Sequence, residues 1–310
     1  MSFEKIILVT RRTRLEGLID RFNTIGQAKF YLEHGGGDFE LYQREHDRYH
    51  QAVDALRSSL QDLLKVHEIE RGMLPNFIFS DTDLVVVIGI DGLVANTAKY
   101  LSGQPLIAVN PDPATIDGVL LPFNTSTAVS AVKNIFKGQV KKRQITMAKV
   151  DLNDGQTLLA FNDFFIGVKS HVSARYTIEA QGRRERQSSS GVIVSTGIGS
   201  TGWLSSMVNM TNGILSGLRE DASASLPPVK LDWGEERLVY VVREPFVSKT
   251  SNANIVFGFT TPASPLIIHS EMPEGGVIFS DGVEADYLAF NSGMLATISI
   301  ADKKTNLIVP

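Results

Sequence analysis

Residues 83–110 read DLVVVIGIDGLVANTAKYLSGQPLIAVN, and this stretch decides the fold class. Its first part, residues 83–89, is a nearly continuous Val/Ile run, which predicts a parallel strand buried on both faces. A glycine-containing turn follows, then a helix over residues 94–101 and a second buried strand over residues 105–110. Strand, turn, helix and strand in this order indicate an α/β architecture.

The chain on the N-terminal side continues the same alternation. Residues 4–9 predict a buried strand, and residues 13–32 carry apolar side chains at helical spacing. After a glycine run, Asp38 is predicted to cap a helix whose apolar positions alternate by three and four over residues 39–60. Such a narrow stripe packs against its own domain or, because the spacing is heptad-like, against a second subunit.

The pattern changes near residue 140. Short strand candidates with turn signals between them replace the helical periodicity, which favours a mostly β second domain. The predicted strands of this part cover residues 144–152, 157–161, 174–181, 191–195, 238–242, 254–259, 266–269 and 295–300.

Composition excludes several classes of protein. With 310 residues the chain is long enough for about two domains, and 43% apolar with 21% charged residues is typical of soluble globular proteins. The net charge of −4 lacks the basic excess that duplex binding requires, so we expect no nucleic-acid partner. Cysteine is absent, which excludes disulfides, thiolate metal sites and cysteine nucleophiles.

The longest apolar run predicts no membrane span. It has seven residues, 84–90, against the roughly 20 that a transmembrane helix needs. The N-terminus shows neither the basic leader nor the cleavage site of a secretion signal. We therefore expect a cytoplasmic protein with no membrane partner.

Gly89, Asp91 and Gly92 form the first candidate site, in the turn between the predicted strand and helix. Ligands of open α/β sheets bind outside the carboxyl ends of the strands. Two glycines allow the backbone to approach a phosphate, the N–H groups of the following helix face it, and Asp91 offers an acceptor or base beside it. The alternative is a plain strand-to-helix turn with Asp91 as the helix cap.

The second candidate is residues 191–203, GVIVSTGIGSTGW, an apolar strand that enters a glycine loop. The loop contains G-x-G-x-x-G at Gly197, Gly199 and Gly202. In a Rossmann dehydrogenase this loop would begin a strand–helix–strand unit with an acidic residue about 20 positions later. Glu220 or Asp221 has that spacing, but no second strand is evident. An isolated glycine loop is a further alternative.

Asn162 and Asp163 form the third candidate. A neighbouring amide and carboxylate can bind ribose hydroxyls and a base edge. The same pair is also common in ordinary turns.

In this order the three motifs resemble those of the NAD kinase family, within the wider superfamily that includes diacylglycerol and sphingosine kinases. Residues 89–93 stand where that family has GGDGT, Asn162-Asp163 where it has an Asn-Glu or Asn-Asp pair, and residues 195–203 where it has a STPxGSTAY-like loop. Residues 108–123, AVNPDPATIDGVLLPF, look like the mitochondrial type and its bacterial relatives. The resemblance spans most of the chain.

The resemblance implies a fold and an activity. The fold is an α/β N-terminal domain with a Rossmann-like parallel sheet over residues 1–140 and a mostly β, NAD-binding domain over residues 141–290, with residues 291–310 returning to the first domain. The activity is phosphoryl transfer from ATP to the 2′-hydroxyl of the adenosine ribose of NAD, giving NADP. Mg²⁺ accompanies ATP, and the family implies a homodimer or higher homo-oligomer.

Residue roles follow from the same resemblance. Asp91 matches the catalytic aspartate, and Gly89 and Gly92 match the ATP-phosphate turn. Residues 280–282 match a DGQ-like turn. The implied NAD-binding residues are Asn162, Asp163, Ser195, Thr196, Gly199, Ser200, Thr201 and Trp203, the last at the position of an aromatic residue able to stack on a ring.

Four positions depart from the family pattern. Ile90 replaces a glycine and Leu93 a threonine of GGDGT, which removes one close backbone approach to phosphate and one hydroxyl donor. Gly197 replaces a proline, and Ser190 stands where many members have an acid. Two alternatives therefore stay open: a catalytically impaired NAD/NADP-binding protein of the same fold, and a related kinase acting on a lipid or sugar hydroxyl.

His46 and His50 have the i, i+4 spacing of a shared metal site. The sequence near them offers no evident third ligand, so we predict no metal site there.

Overall fold

The computed structural model describes residues 3–218 and 225–310, which form two compact units. The first unit comprises the chain up to Arg143 together with Thr305–Pro310, and the second comprises Gln144–Lys304. Glu220 and Asp221, the acids of the Rossmann interpretation, lie outside the described residues. Within the described ranges, no helix is long and apolar enough to cross a membrane.

The first unit is a parallel sheet with helices. Its elements are, in chain order, β1 (Lys5–Thr10), α1 (Arg14–Phe22), α2 (Ile25–His34), α3 (Phe39–Gln61), β2 (Val66–Glu70), β3 (Asp83–Ile88), α4 (Asp91–Ala98), β4 (Pro105–Val109) and α5 (Thr125–Phe136). The strands lie in the order β2, β1, β3, β4, and all these neighbours are parallel. Every residue of β3 is buried, as expected for a central parallel strand.

Helix α3 forms where the sequence predicts it. Asp38 caps it by accepting hydrogen bonds from the backbone N–H groups of Glu40 (2.9 Å) and Leu41 (3.3 Å). The stripe is buried from Tyr49 to Leu60 and belongs to the same hydrophobic cluster as β1, β3 and α5. This half of the apolar stripe therefore packs within its own unit.

The single helix predicted over residues 13–32 is wrong, because the chain forms two helices there, α1 and α2. Asn23 adopts left-handed backbone with φ of 65°, which ends α1. The Thr24 side chain then caps α2 by accepting a hydrogen bond from the Gln27 N–H at 3.2 Å. Apolar spacing that runs across both helices does not reveal the break between them.

The second unit is mostly β, as predicted. Its elements are β5 (Lys141–Leu152), β6 (Thr157–Ala160), β7 (Asp163–Val168), β8 (Ala174–Ala180), β9 (Arg183–Ser189), β10 (Val192–Ser195), α6 (Trp203–Leu218), β11 (Leu238–Val242), β12 (Phe257–Thr260), β13 (Leu266–Ser270), β14 (Gly276–Ser280), β15 (Tyr287–Ala289) and the first part of β16 (Leu295–Val309). One antiparallel sheet has the order β12, β11, β10, β7, β14, β15. A second set runs β16, β13, β8, β9, in which β5 also pairs with β16 and β6 pairs with β5. Side chains from both sheets share one hydrophobic cluster.

Several elements of this unit escape the sequence prediction: β7, β9, β14, β15 and α6. Strand β9 shows why, since its sequence is RRERQSS and its inward-facing residues Glu185, Gln187 and Ser189 are polar. The Glu185 carboxylate accepts hydrogen bonds from the backbone N–H groups of Asn254 (2.9 Å) and Ile255 (3.1 Å). A buried face satisfied by hydrogen bonds carries no hydrophobic alternation.

The last strand contributes to both units. Its first part, from Leu295, pairs antiparallel with β13 in the second unit. Asn306 and Leu307 pair in parallel with Pro105 and Leu106 of β4 in the first unit.

Candidate active site

Asp91 lies at the carboxyl edge of the parallel sheet, at the start of α4. Its Oδ1 accepts a hydrogen bond from the Leu120 N–H at 3.0 Å, and its Oδ2 accepts one from the Val119 N–H at 3.1 Å. The carboxylate is half-buried and fixed in orientation by these two donors. Because a carboxylate offers about four acceptor positions, two bonds leave capacity for a ligand hydroxyl. The N-cap residue of α4 is Ile90, so Asp91 is the first helical residue and not the helix cap.

The glycines on either side of Asp91 differ in what surrounds them. A Cβ on Gly89 would lie 3.0 Å from Leu93 Cδ2 and 3.7 Å from Arg11 Nε, so protein packing already fills that side. A Cβ on Gly92 would meet nothing within 4 Å. Packing therefore explains Gly89, whereas open space for a ligand lies beside Gly92.

The two positions of this turn that depart from the family pattern, Ile90 and Leu93, lie in different surroundings. Leu93 is 1% exposed and lies in the core, so its side chain faces protein rather than a ligand. Ile90 is 41% exposed and lines a cavity of about 550 Å³. The loss of a hydroxyl at position 93 thus falls in the interior, and the change at position 90 falls on an accessible surface.

The lining of that cavity has more basic than acidic side chains, and no sequence motif indicated it. Its charged lining consists of Arg11, Arg14, Arg44, Glu45, Arg48 and Asp112. The sequence signal for it lies in two places: residues 11–14, RRTR, directly after β1, and an i, i+4 arginine pair on α3. Glu45 pairs with both Arg11 and Arg14, and Arg48 pairs with Asp112 at 3.0 Å. The lining therefore carries a modest positive surplus beside the Gly89–Gly92 turn, which is suited to a phosphate chain.

Arg11 is the most buried cation of this group, with its side chain 13% exposed. Its Nη2 donates to Glu45 Oε1 at 3.1 Å, and its backbone N–H donates to the Tyr49 hydroxyl at 2.8 Å. The Tyr49 hydroxyl in turn donates to the Ile88 carbonyl at 3.1 Å, the last residue of β3. The guanidinium lies 4.8 Å from the centre of the Tyr49 ring. Burial raises the pKa of Tyr49 to about 12, so this anchor stays neutral and keeps its proton.

The second unit brings its predicted residues together. Asp163 and Ser195 are directly opposite in the β7–β10 pair. The Thr196 backbone N–H donates to the Asn162 carbonyl at 2.9 Å, and its hydroxyl donates to the Phe161 carbonyl at 2.6 Å. The pair Asn162-Asp163 and the start of the glycine loop are therefore one local structure.

Asp281, in the turn after β14, holds this structure in place. Its carboxylate accepts hydrogen bonds from the backbone N–H groups of Phe161 (3.1 Å), Asn162 (2.6 Å) and Asp163 (3.3 Å). Its own N–H donates to the Asp163 carbonyl at 3.0 Å, and its backbone is left-handed with φ of 54°. The DGQ-like turn implied by the resemblance thus orients the Asn162-Asp163 pair.

Asp163 carries an unusual charge state. Burial of its side chain, reinforced by the nearby negative charge of Asp281, raises the pKa of Asp163 to about 7. Near neutral pH this carboxyl is therefore present in both forms, one of which donates a hydrogen bond and one of which only accepts.

The glycine loop is shaped by backbone packing. A Cβ on Gly197 would lie 2.1 Å from the Asp232 carbonyl oxygen, and a Cβ on Gly199 would lie 2.1 Å from that of Asn162. The preceding strand β10 is antiparallel to both its neighbours. A Rossmann unit needs a parallel strand here, so the Rossmann interpretation is wrong.

The hydroxyls of this loop differ in exposure. Ser195 and Thr196 are fully buried, and Ser200, which is 3% exposed, donates to the Gly197 carbonyl at 2.6 Å. Thr201 is exposed. The buried hydroxyls shape the loop, and their contact with NAD stays a prediction.

Trp203 lines a second cavity, of about 670 Å³. Its ring stacks on Phe165 with centroids 5.8 Å apart and an interplanar angle of 8°. The Arg243 guanidinium lies 5.5 Å from the centre of the Trp203 ring. Aromatic faces beside a cation suit a ligand that combines planar rings with phosphate.

The predicted residues thus form two groups. Gly89, Asp91 and Gly92 lie at the sheet edge of the first unit. The second unit holds the other group, which comprises Asn162, Asp163, Ser195, Thr196, Gly199, Ser200, Thr201 and Trp203.

Comparisons with known proteins agree on one family. An NAD kinase of Caldanaerobacter subterraneus subsp. tengcongensis is 28% identical over 149 residues, which cover 43% of this chain and 49% of that relative. The chain thus matches about half the length of this curated relative. No family model matches the sequence.

Solved structures extend the likeness over the whole chain. A yeast NADH kinase complexed with NADH has a TM-score of 0.62 at 13% identity, with 100% of this chain and 84% of that chain covered. An NAD kinase of Archaeoglobus fulgidus in complex with ATP has a TM-score of 0.58 at 14% identity, with 98% and 92% covered. The resemblance that the three sequence motifs indicated is confirmed, and this chain has the fold of the NAD kinases.

Proposed function

We propose that this protein is an NAD kinase, which transfers the terminal phosphoryl group of ATP to the 2′-hydroxyl of the adenosine ribose of NAD. The observation that carries the proposal is the Asn162-Asp163 pair, held by three backbone hydrogen bonds to Asp281. The similarity to an NAD kinase and to kinases solved with NADH and with ATP supports it.

The second unit would bind the dinucleotide. Asn162 offers an amide donor and acceptor, and Asp163 offers a carboxyl that accepts from a ribose hydroxyl. The cavity beside Trp203 adds aromatic surface, and Arg243 adds a positive charge for the pyrophosphate. Thr201, the exposed hydroxyl of the glycine loop, is a further donor for the dinucleotide.

The first unit would bind Mg²⁺·ATP as substrate. The open space beside Gly92 admits a phosphate close to the backbone, and the first N–H groups of α4 face the carboxyl edge of the sheet. The basic cavity around Arg11 and Arg48 neutralises the rest of the phosphate chain. Phosphoryl transfer needs this alignment and charge neutralisation more than covalent catalysis.

Asp91 would orient the acceptor hydroxyl. In the reaction the bond between the terminal phosphorus and the bridging oxygen of ATP breaks, a bond from phosphorus to the 2′-oxygen forms, and ADP leaves. The hydroxyl proton passes to the Asp91 carboxylate. The N–H donors of Val119 and Leu120 hold that carboxylate in one orientation while it accepts the proton.

An assay with a matched variant tests the proposal. Purified protein is incubated with NAD, ATP and Mg²⁺, and NADP is measured with an NADP-specific dehydrogenase. We expect Asp91→Asn to lower kcat about 10²–10⁴-fold, the usual range for a proton acceptor, with the Kd for NAD unchanged.

Two results would overturn the proposal. NAD binding without turnover would make the protein a dinucleotide-binding member of the fold. Phosphorylation of a lipid or sugar alcohol in place of NAD would assign another acceptor. The homo-oligomeric assembly, the cytoplasmic location and the requirement for Mg²⁺ remain predictions.

A further inference from the structure

We propose that Glu16, His46 and His50 form a binding site for a divalent transition-metal ion such as Zn²⁺, in the first unit and distinct from the proposed kinase residues. One ligand atom from each of the three side chains lies within 4.8 Å of the others. The sequence shows only the histidine pair, and the fold supplies the third ligand from another helix.

The two histidines lie one turn apart on α3, with ring centroids 4.4 Å apart. Glu16 lies in the first turn of α1, and its Oε1 is 3.1 Å from His50 Nε2. Helices α1 and α3 thus bring two imidazoles and one carboxylate to one point. Two histidines and a glutamate are a ligand set that Zn²⁺ takes in proteins, with a solvent molecule in the fourth position.

The surrounding hydrogen bonds orient the ligands. Thr13 Oγ1 is 2.9 Å from His46 Nδ1, which leaves Nε2 of that ring for an ion. The Thr13 N–H donates to Glu16 Oε2 at 2.6 Å, which leaves Oε1 for the ion. Metal-bound histidines usually donate their second ring N–H to a fixed acceptor, and the Thr13 hydroxyl is such an acceptor for His46.

The side chains have room to close on an ion. Bond lengths of about 2.0–2.1 Å in a tetrahedral site place ligand atoms about 3.4 Å apart. Glu16 Oε1 and His50 Nε2, 3.1 Å apart, already have nearly that separation, and ligand atoms as far apart as 4.8 Å must draw together by roughly an ångström. His50 is 43% exposed and Glu16 is 32% exposed, which gives both side chains freedom to rotate and gives the ion access from solvent.

Without an ion, the same contacts make an ordinary cluster. His50 is then a hydrogen-bond or ion-pair partner of Glu16, and Glu16 serves the capping box of α1. The two descriptions predict different behaviour toward added metal. A bound ion would join α1 to α3 and stabilise the unit by mass action, and the ordinary cluster would not respond.

Calorimetric titration of ZnCl₂ into the EDTA-treated, dialysed full-length protein tests the site, without NAD or ATP present. We expect one Zn²⁺ per chain and a Tm that rises with Zn²⁺ concentration. Co²⁺ added in its place should give the visible absorption bands of a tetrahedral nitrogen–oxygen site. Because neither measurement involves phosphoryl transfer, the result is independent of the proposed kinase activity.

Variants locate the ion. His46→Ala, His50→Ala and Glu16→Gln should each weaken Zn²⁺ binding at least tenfold, and Glu16→Gln keeps an acceptor for the Thr13 N–H. His34→Ala, which removes an exposed histidine at the end of α2, is the matched control and should bind Zn²⁺ as the wild type does. If one variant unfolds, His50→Gln at the exposed position replaces it.

Equal Zn²⁺ affinity in the wild type and in the folded variants would overturn the proposal. So would a titration with no saturable 1:1 step, which would indicate scattered surface binding.

Discussion

Asp163 keeps a proton at pH values where an exposed aspartate has lost it. Burial, together with the negative charge of Asp281, raises the pKa of Asp163 from the usual 3.8 to about 7. Between these two values the folded protein binds more protons at this site than the unfolded chain, so the free energy of unfolding falls as pH rises. This window, about pH 4 to 7, is where the carboxyl affects stability most.

Replacing Asp163 by asparagine should remove that pH dependence. Between pH 5 and pH 8 we expect the free energy of unfolding of the wild type to fall by about 1–3 kcal/mol relative to that of Asp163→Asn. Urea denaturation of both proteins at the two pH values gives the difference. Parallel pH profiles would mean that Asp163 is ionised throughout.

Two glycine-to-alanine variants test whether a glycine is required by a bound ligand or by packing within the protein. Gly92→Ala should leave Tm nearly unchanged, because its Cβ meets nothing within 4 Å, yet raise the KM for ATP at least tenfold. Gly199→Ala should destabilise the protein by about 3 kcal/mol or more, because its Cβ would lie 2.1 Å from the Asn162 carbonyl oxygen. An unchanged KM in Gly92→Ala would move the donor phosphates away from this turn.

At the scale of elements, the turn after β14 organises the start of β7. Asp281→Ala leaves three backbone N–H groups without their acceptor, and we expect a loss of about 2–4 kcal/mol in stability together with weaker NAD binding. Asp281→Asn is the matched control, because asparagine tolerates the left-handed backbone and keeps one acceptor oxygen.

The control variant carries a second expectation. Removing the charge of Asp281 takes away one of the two causes that raise the pKa of Asp163, so this pKa should fall in Asp281→Asn. Carbon-13 NMR of labelled aspartate side chains would measure it. A pKa of Asp163 that does not move would show that burial alone sets it.

Helices and strands could be predicted from the sequence where local signals determine them, and not where distant contacts do. Strand β3 and helix α3 were predictable because apolar runs and a capping aspartate are local signals. Strand β9 was not, because its buried side chains are held by hydrogen bonds to residues some 70 positions away. Helix α6 follows a glycine loop whose form depends on the distant Asp232 backbone.

The candidate sites divide in the same way. Asp91 and the Asn162-Asp163 pair could be proposed as site residues from the sequence because each lies in a short contiguous motif. The basic cavity was not found, because Arg11 and Arg48 are 37 positions apart and meet only in the fold. Glu16 was missed as a partner of His46 and His50 for the same reason.

At the scale of the whole molecule, the C-terminal strand completes the first unit. Ile308 is 2% exposed and belongs to the hydrophobic cluster of β1, β3 and α3. Ile308→Ala should therefore destabilise the first unit by about 2–5 kcal/mol. Hydrogen exchange should show faster exchange in β1 and β4 than in the wild type. Ile300→Ala, at a partly buried position earlier in the same strand, is the matched control within the second unit.

The sharing of β16 between units also sets an order for biosynthesis. The first unit lacks Thr305–Pro310 until the whole of the second unit has been translated, although the rest of the first unit leaves the ribosome earlier. The second unit, which is continuous, has no such delay. The nascent first unit should therefore expose an open sheet edge beside β4, which chaperones can bind, until residues 305–310 emerge.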